Sequence, residues 1–535
     1  MRPMKPLGTV DTSFLLIENR TMPMHTGGLM LFSYPEGAHE DWLHQTFSAN
    51  DDPDAVQSPF NQKLAWPLQR LGLPHWVTDH DLDTHYHVRH SALPKPGRYR
   101  EMFSLVSRLH STRLHRDRPL WEAHIIEGVE DNRFALYVKT HHSMIDGVGA
   151  MRMLRACLSS DPNERDMPAP WNMPRPRHEA NGSPNARSVV NATAGALTGV
   201  FKFASAIRDR NEHGMMAPFQ TPLTILNGRV TGSRRFVAQS WSLSRIKKVA
   251  KALNATVNDI VLAMSGGALR RYLIDQDALP AEPLTAMTPV SFRPADADVE
   301  GNSFSVLFAT LATELGDPLD RLRAIQKSMG EGKRLFRSMN SADIPIFTSI
   351  IALPVVLPHL LKLSGRTRPT FNVTVSNVPG PREKLYWNGA PLEGMYPLSI
   401  VTQGQALNIT ATSVADSLDF GIVACRRSVP SAQRLIDHWS SSAAPRLASY
   451  PFSFQLRLAW DYRQPRSDLC PRRQHARGRI AYARCPQAAG DHSSTGKAAC
   501  VCRRKPRPGL PGGPRHRACA RSLHRDVRVL WAYQH

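Results

Sequence analysis

Apolar and polar residues alternate along two adjacent stretches of the chain, and this pattern predicts a pair of neighbouring β-strands. The stretches are Trp121–Gly128 and Arg133–Thr140, and the short polar segment 129–132 between them is typical of a tight turn. Every other residue of the second stretch is apolar, so these side chains are expected to share one face of the strand: Phe134, Leu136 and Val138. The second strand runs directly into a pair of histidines.

A helical pattern follows those histidines. Beyond Gly147, apolar residues recur at intervals of three and four, at Met151, Leu154 and Leu158. The polar segment 141–147 therefore lies at a predicted strand-to-helix turn. Such a turn can aim its side chains into a cleft, where binding and catalytic groups are commonly found.

The second half of the chain repeats this mixture of helix and strand patterns without an internal sequence repeat. Apolar residues predict an amphipathic helix near residues 246–253, and Thr256 is a suitable N-cap for a further helix with Asp259 at its third position. Alternating patterns predict strands over Phe304–Thr310, Phe371–Ser376 and Leu407–Thr412. We therefore expect a mixed α/β fold in both halves.

Composition divides the chain into two domains, a linker and a tail. Six prolines fall within residues 162–184, a composition that resists regular structure and suits a crossover between domains. We expect domains at residues 1–160 and 191–445, with a linker at 161–190 between them. Residues 446–535 lack periodicity and hold too few apolar clusters to offset chain entropy, so a disordered basic tail is expected.

Positive charge is concentrated in that tail. The chain of 535 residues has a formal net charge of +22, and residues 461–535 contribute 17 Lys and Arg against four Asp. A non-native extension, such as an out-of-frame translation, is the leading interpretation, and a basic arm that binds nucleic acid or anionic lipid is the alternative. Cys500 and Cys502 lack a second ligand pair for a metal. The preceding residues are only mildly basic, so nucleic acid is not expected as a partner.

No stretch of the sequence predicts a membrane-spanning helix. The most apolar segment, residues 344–361, contains three prolines that would break a continuous helix. Two interpretations stay open for it: a buried connection, or a surface element that dips into lipid beside Lys362 and Arg366. The N-terminus does not resemble a secretory signal, and only Cys157 and Cys425 precede the tail. We therefore expect a cytoplasmic protein without a disulfide framework.

The strand-to-helix turn carries the strongest chemical signal in the chain, the string HHSMIDG at residues 141–147. Adjacent imidazoles point in different directions, so they rarely bind one metal together, and no metal site is expected. A single histidine in a cleft suits a general base, because its ordinary pKa near 6.5 leaves the neutral form available at neutral pH. A purely structural role for the histidine pair is the alternative.

This string resembles the HHxxxDG signature of the CoA-dependent acyltransferase superfamily, which includes chloramphenicol acetyltransferase and the condensation domains of peptide synthetases. Further strings resemble the bacterial bifunctional wax ester synthase/diacylglycerol acyltransferases and follow in that family's order. They are the opening residues 4–32, Pro119-Leu120-Trp121, NDIVLA at 258–263, PVSFR at 289–293, Gly301-Asn302 and SNVPG at 376–380. The resemblance covers about residues 4–440.

The resemblance implies two domains of the chloramphenicol acetyltransferase type, with a tunnel between them and the HHxxxDG string at its middle. It implies that His142 is the general base and that His141 orients or supports it. Asp146 resembles the family aspartate that holds this loop through an ion pair. We expect Arg293 to be its partner, because a buried carboxylate needs a cation or several donors.

The same resemblance places Asn258 near the active site, where its amide could donate to the developing oxyanion. Capping of the helix beside Thr256 is the alternative for this residue. The family match also suggests a group of substrate-binding residues: Gly147, Ser376 and Asn377. For the remaining string, packing of the tunnel wall is favoured over chemistry: Pro119, Leu120 and Trp121.

The resemblance implies transfer of an acyl group from acyl-CoA, a co-substrate, to a long-chain alcohol or diacylglycerol, with no cofactor. We expect a monomer or homodimer that contacts the inner membrane face or lipid inclusions peripherally. Ser143 is a rival, covalent nucleophile, although it lacks a nucleophile-elbow context. Two other functions stay open: acyl transfer from a carrier protein, and a non-enzymatic lipid-inclusion or nucleic-acid-binding protein that acts through its tail.

Overall fold

The computed structural model describes most of the chain between residues 7 and 442. The described residues are 7, 9–66, 74–145, 147–173, 221–291, 304–337, 364 and 367–442. Several sequence predictions concern residues outside this set: Asp146, Arg293, most of the linker at 161–190, the apolar segment 344–361 and the tail at 446–535. The domain boundaries accordingly stay a prediction.

Helices and strands are interspersed along the described residues. The helices are α1 (Thr9–Ile17), α2 (Trp42–Ser48), α3 (Thr84–His87), α4 (Tyr99–Ser111), α5 (Gly147–Ala156), α6 (Leu243–Ala252), α7 (Val257–Asp275), α8 (Pro318–Arg337) and α9 (Gln433–Ser442). The strands are β1 (His25–Ser33), β2 (Gln62–Ala65), β3 (His75–Thr78), β4 (Val88–Ala92), β5 (Trp121–Val129), β6 (Arg133–His141), β7 (Arg234–Ser242), β8 (Thr285–Ser291), β9 (Phe304–Thr310), β10 (Val373–Val378), β11 (Tyr386–Trp387), β12 (Ala390–Leu398), β13 (Leu407–Val414) and β14 (Ser417–Cys425). Short 3₁₀ turns occur at Pro53–Ala55, Pro170–Asn172 and Ile225–Asn227.

Two six-stranded sheets organise these elements, and a two-stranded ribbon of β2 and β3 accompanies them. The first sheet has the order β11-β12-β1-β6-β5-β4, and the second has the order β7-β14-β13-β10-β8-β9. β10 is parallel to both of its neighbours, and β4 is parallel to β5, whereas the other pairs are antiparallel. The predicted mixed α/β fold is thus confirmed.

Local sequence signals explain several of these elements. The strands predicted from alternation appear as β5, β6, β9, β10 and β13, with ends that differ by at most a few residues. The predicted cap of α7 is also confirmed: the Thr256 side chain accepts from the Asp259 amide, and the Asp259 carboxylate accepts from the Thr256 amide at 2.9 Å. This reciprocal capping box satisfies two amides that otherwise lack partners.

The first sheet is buried on both faces. One face packs against α4 and continues into the core of the second sheet, and Tyr137 of β6 lies in this core with Met102 and Val106 of α4. The opposite face packs around aromatic residues that include Phe134 and Trp171. Because side chains alternate along a strand, Lys139 and His141 lie on the same face of β6 as Tyr137.

β12 ties the two sheets together. It pairs with β1 in the first sheet, and the Met395 amide of β12 donates to Asp419 Oδ2 of β14 at 2.8 Å. A Cβ added to Gly421 of β14 would stand 1.8 Å from the Pro397 carbonyl oxygen, so the backbones approach too closely for any side chain here. Burial raises the pKa of Asp419 to about 6, although hydrogen bonds from its neighbours oppose the shift.

α4 makes a second connection between the sheets. The Ser107 hydroxyl accepts from the Phe236 amide and the Ser111 hydroxyl accepts from the Arg234 amide, both at 2.8 Å. The face of the first sheet that carries His141 is therefore the face on which α4 and the second sheet pack. Among the described residues, no helix is both long and apolar enough to cross a membrane.

Candidate active site

The backbone of the histidine pair is held from both sides at the end of β6. The His141 amide donates to the Leu120 carbonyl at 2.9 Å, and the His142 amide donates to the Met24 carbonyl at 2.9 Å. The Met144 amide then returns to the His141 carbonyl at 2.9 Å, which closes the turn. These bonds fix the point at which each imidazole leaves the chain.

His141 is buried, and its neighbours determine which ring nitrogen carries the proton. The Ser143 amide donates to His141 Nδ1 at 3.1 Å, and the Ser143 hydroxyl lies 2.7 Å from the same nitrogen. Nδ1 is therefore an acceptor, so the neutral ring must carry its proton on Nε2. Nε2 lies 3.6 Å from Glu18 Oε1, slightly beyond hydrogen-bonding distance. His141 consequently has no lone pair available for a substrate proton.

Glu18 is a buried carboxylate whose described polar partners are N–H donors, two of them on cationic or imidazole side chains. Its Oε1 accepts from the Met24 amide at 3.1 Å, and its Oε2 accepts from Arg116 Nε and Nη2 at 3.2 and 3.0 Å. Burial alone would raise the pKa of this carboxyl, but His141, Met24 and Arg116 more than offset that effect and lower it to about 2. Glu18 is therefore ionised at neutral pH.

His142 differs from His141 in both exposure and contacts. It is half-buried, whereas His141 is 1% exposed. Its ring stacks on that of Phe14 of α1, with the centroids 4.3 Å apart and the planes 27° from parallel. The two adjacent imidazoles therefore occupy different environments, and only the second reaches a partly accessible one.

A layer of buried polar groups lies beside the pair, on the face of the first sheet that meets α4. Lys139 Nζ lies 2.9 Å from Glu122 Oε2, and the Lys139 side chain is fully buried. Burial would raise the pKa of Glu122, but His124 and Lys139 together lower it to about 2. Burial, Lys139 and Arg234 lower the pKa of His110 to about 3. This layer is thus built from ionised Glu122 and neutral His110.

The Pro119-Leu120-Trp121 string supports the histidine pair from the adjacent strand. Leu120 supplies the carbonyl that fixes His141, as described above. Trp121 is fully buried, donates from Nε1 to the Phe60 carbonyl at 2.8 Å, and stacks on His87 with centroids 4.6 Å apart. These contacts are those of packing and support, while the tunnel wall itself stays a prediction.

The other predicted site residues lie on separate elements. Asn258 is half-buried at the second position of α7, and the capping box there uses Thr256 and Asp259 instead. Ser376 and Asn377 are half-buried on β10, and Gly147 begins α5. The described polar contacts of the His141 side chain go to Ser143 and Glu18. The roles of the other predicted residues therefore stay predictions.

Sequence reasoning did not identify Glu18, Arg116 or Phe14. Glu18 and Arg116 are 98 positions apart, so no local pattern links them. The weak signal was an acidic residue directly after a short apolar run, and that residue is buried here. In the described part of the chain, no group of three or more His, Cys, Asp or Glu residues is arranged to hold a metal ion.

Comparison with known proteins gives two family matches that lie side by side along the chain. Residues 7–261 match the wax ester synthase/diacylglycerol acyltransferase catalytic domain, and residues 300–444 match the WS/DGAT C-terminal domain. The chain is 44% identical over 445 residues to a Mycobacterium tuberculosis protein provisionally named diacylglycerol O-acyltransferase, covering 82% of this chain and 98% of that protein. It is 41% identical over 445 residues to O-acyltransferase WSD of Acinetobacter baylyi, covering 81% and 95% of the two chains.

Solved structures give the same result for the fold. The wax ester synthase/diacylglycerol acyltransferase of Marinobacter aquaeolei superposes with a TM-score of 0.68 at 42% identity, over 82% of this chain and 98% of that chain. The first condensation domain of the calcium-dependent antibiotic synthetase superposes with a TM-score of 0.52 at 17% identity, over 82% and 95% of the two chains. The second likeness is one of fold alone.

Proposed function

The chain belongs to the wax ester synthase/diacylglycerol acyltransferase family and is an O-acyltransferase, and from this premise we propose that it esterifies long-chain alcohols or diacylglycerol with the acyl group of acyl-CoA. The products are then wax ester or triacylglycerol, together with free CoA. The relatives' names support these two acceptor classes. The proposal needs a general base that can reach an acceptor hydroxyl and a thioester carbonyl at the same time.

His142 is the base in this proposal, and the observation that carries the assignment is the hydrogen bonding of the adjacent His141 ring. His141 uses Nδ1 as an acceptor from Ser143 and keeps its proton on Nε2, so it has no basic nitrogen to offer. His142 is partly accessible and its amide is fixed by Met24, which suits a ring that must receive a proton in a defined position. A positioned histidine of this kind typically contributes about 10²- to 10⁴-fold in rate.

The reaction proceeds by direct transfer. Neutral His142 takes the proton of the acceptor hydroxyl while the oxygen attacks the thioester carbonyl, giving a tetrahedral intermediate with a negatively charged oxygen. The carbon–sulfur bond then breaks, and the His142 imidazolium protonates the departing CoA thiolate. Asn258 is our candidate donor to the oxyanion, and a donor of this type commonly contributes about 10²- to 10³-fold in kcat.

Ser143 is the alternative nucleophile, since it forms a Ser–His–carboxylate series with His141 and Glu18. However, Ser143 is only 4% exposed, and its own amide occupies the same His141 nitrogen as its hydroxyl. We therefore expect Ser143→Ala to retain most of the wild-type kcat. Trapping of an acyl group on Ser143, detected by mass spectrometry after acyl-CoA is added alone, would show that transfer is covalent instead.

The experiment uses the full chain with palmitoyl-CoA and either hexadecanol or dipalmitoylglycerol. Released CoA is measured with a thiol reagent, and the ester is identified by chromatography. We expect His142→Ala to lose at least about 10²-fold in kcat, whereas His85→Ala, at a histidine whose side chain is 86% exposed, should remain active. Full activity of a folded His142→Ala variant would remove the proposed base.

The donor separates this proposal from carrier-dependent condensation. Because the likeness to condensation domains is one of fold, it leaves the acyl carrier open. We expect palmitoyl-CoA to be the better acyl donor. Preference for a carrier-protein thioester would instead support the carrier-dependent condensation alternative. A third alternative is a non-enzymatic lipid-inclusion or nucleic-acid-binding protein, which would lose its binding when the tail at 446–535 is removed. The transferase proposal predicts instead that ester formation survives this truncation.

Both acceptor classes partition into lipid, so the proposed enzyme must collect them from a membrane or a lipid inclusion. We propose peripheral contact, in keeping with the absence of a spanning helix among the described residues. Flotation of the full chain with phosphatidylglycerol-containing vesicles tests this, and a chain that stays at the bottom of the gradient would contradict it.

A further inference from the structure

The last turn of α1 and the residue that follows the helix present two side chains to the histidine pair, one to each ring. Phe14 and Glu18 are four residues apart, and the Glu18 amide donates to the Phe14 carbonyl at 3.1 Å. This bond continues the helical pattern by one residue, so both side chains lie on the same side of the turn. We call residues 14–18 the positioning turn.

Phe14 makes the direct contact. The centroids of the Phe14 and His142 rings are 4.3 Å apart, and the ring planes are 27° from parallel. A stacked neighbour restricts rotation of the imidazole about its side-chain bonds and excludes water from one of its faces. The contact therefore favours one orientation of the His142 ring.

Glu18 acts on the pair by two routes. Its Oε1 accepts from the Met24 amide at 3.1 Å, and the Met24 carbonyl in turn accepts from the His142 amide at 2.9 Å. Its Oε1 also lies 3.6 Å from His141 Nε2, the nitrogen that carries the proton. The first route holds the backbone of His142, and the second favours the tautomer of His141 that leaves Nδ1 for Ser143.

Arg116 anchors this carboxylate. Its guanidinium donates to Glu18 Oε2 from two nitrogens and to the Leu15 carbonyl at 2.6 Å, so one cation holds both the side chain and the end of α1. The groups described around Glu18 are therefore all donors: Met24, His141 and Arg116. A carboxylate satisfies such a set, whereas an amide of the same shape would bring its own N–H groups against them.

We infer that Glu18 and Phe14 are positioning residues for the proposed transferase reaction, with the positioning turn fixing the direction from which His142 meets the acceptor hydroxyl. The inference rests on the proposed function, since it assigns these residues to the base used there. They act on the orientation of the base and not on acyl-CoA binding. Their loss should therefore lower kcat and leave the KM for acyl-CoA nearly unchanged.

Steady-state kinetics of full-length variants test this assignment. We expect Glu18→Gln to lower kcat by about 10- to 100-fold and Phe14→Leu by a smaller factor, with KM for palmitoyl-CoA within about threefold of wild type. Glu40→Gln, at an exposed glutamate, is the matched control and should keep the wild-type kcat. Phe14→Leu keeps the test available if Glu18→Gln does not fold, because its effect must go in the same direction.

The decisive measurement repeats both substitutions in a His142→Ala background. If the positioning turn acts through His142, each substitution should change the residual rate by less than about twofold there, since the group it positions is absent. A full additional loss in that background, or a wild-type kcat for both single variants, overturns the inference. An inactive wild-type chain would instead overturn the proposed function, so the two failures are distinguishable.

Discussion

Replacing Lys139 with methionine should cost the protein about 3 to 5 kcal/mol of unfolding free energy, because the change leaves the buried carboxylate of Glu122 without its closest cation. The Lys139 side chain is fully buried and that of Glu122 is 7% exposed, with 2.9 Å between Nζ and Oε2. Lys139 also donates to the Leu109 and Thr112 carbonyls at 3.1 and 3.0 Å, where α4 ends. Methionine has a similar length but none of these donors.

The structure places the cost toward the lower end of that range. Glu122 keeps two weaker partners after the substitution, His124 at 3.4 Å and Arg89 at 4.0 Å, and methionine gains apolar burial. Loss of the cation should also raise the pKa of Glu122 from its value of about 2. The variant can then relieve the buried charge by protonation, so the stability difference from wild type should narrow as the pH falls from 8 to 5.

Urea unfolding followed by tryptophan fluorescence measures this difference. The matched control is Arg323→Met, which breaks a pair of similar length, 3.0 Å between Arg323 Nη1 and Asp320 Oδ1, in which both side chains are exposed (73% and 59%). Its cost should stay below about 1 kcal/mol. The double variant Lys139→Met/Glu122→Gln should be more stable than additivity of the single changes predicts, by more than about 1 kcal/mol. Equal costs for Lys139→Met and Arg323→Met, or strict additivity in the double variant, would refute the argument from desolvation.

Three further substitutions have effects whose sign follows from the structure. The pKa of Asp419 is raised to about 6, so the free energy of unfolding of the wild type should fall by up to about 3 kcal/mol as the pH rises from about 4 through 6. Asp419→Asn removes this charge and should therefore raise the thermal midpoint at pH 8 but not near pH 4. The pKa of Glu18 is lowered to about 2, so the ionised carboxylate stabilises the protein above pH 4.5 and this stabilisation is lost toward pH 2. In Glu18→Gln the free energy of unfolding should therefore change less between pH 4.5 and pH 2 than in the wild type. Gly421→Ala should unfold the protein or lower its thermal midpoint sharply, since the added Cβ would stand 1.8 Å from the Pro397 carbonyl oxygen. Gly330 of α8 is the control: a Cβ added there would have nothing within 4 Å, so Gly330→Ala should raise the free energy of unfolding by about 0.5 to 1 kcal/mol.

The elements that could be predicted from the sequence are those whose causes are local. The alternating residues Phe134, Leu136 and Val138 located β6 to within one residue, although alternation predicts one buried face and both faces of β6 are buried. The Thr256 cap of α7 needed only the spacing to Asp259. The histidine pair was found in the same way, because its position between a strand and a helix is visible in the surrounding pattern.

The contacts that could not be predicted join residues far apart in the chain. Glu18 meets His141 and Arg116 across about 100 positions, and no periodic pattern records such a pair. Glu18 instead ends a short apolar run, where an acidic residue is ordinarily solvated. Its burial depends on Arg116 arriving from the segment after α4, which only the folded chain provides.

The pairing of β12 shows why the candidate site needs both halves of the sequence. β1 lies between β6, which ends in His141, and β12, which comes from more than 350 positions later. Without β12, β1 would be an edge strand, and edge strands expose a row of unpaired backbone groups. β1 begins at His25, directly opposite His141, and directly follows Met24, whose carbonyl holds His142. β12 pairs with β1 from Gly27 onward, two residues beyond His25, so the late strand stabilises the early one beside the point where it holds the histidine pair. The geometry of the site therefore depends on both halves of the sequence and not on the HHxxxDG string alone.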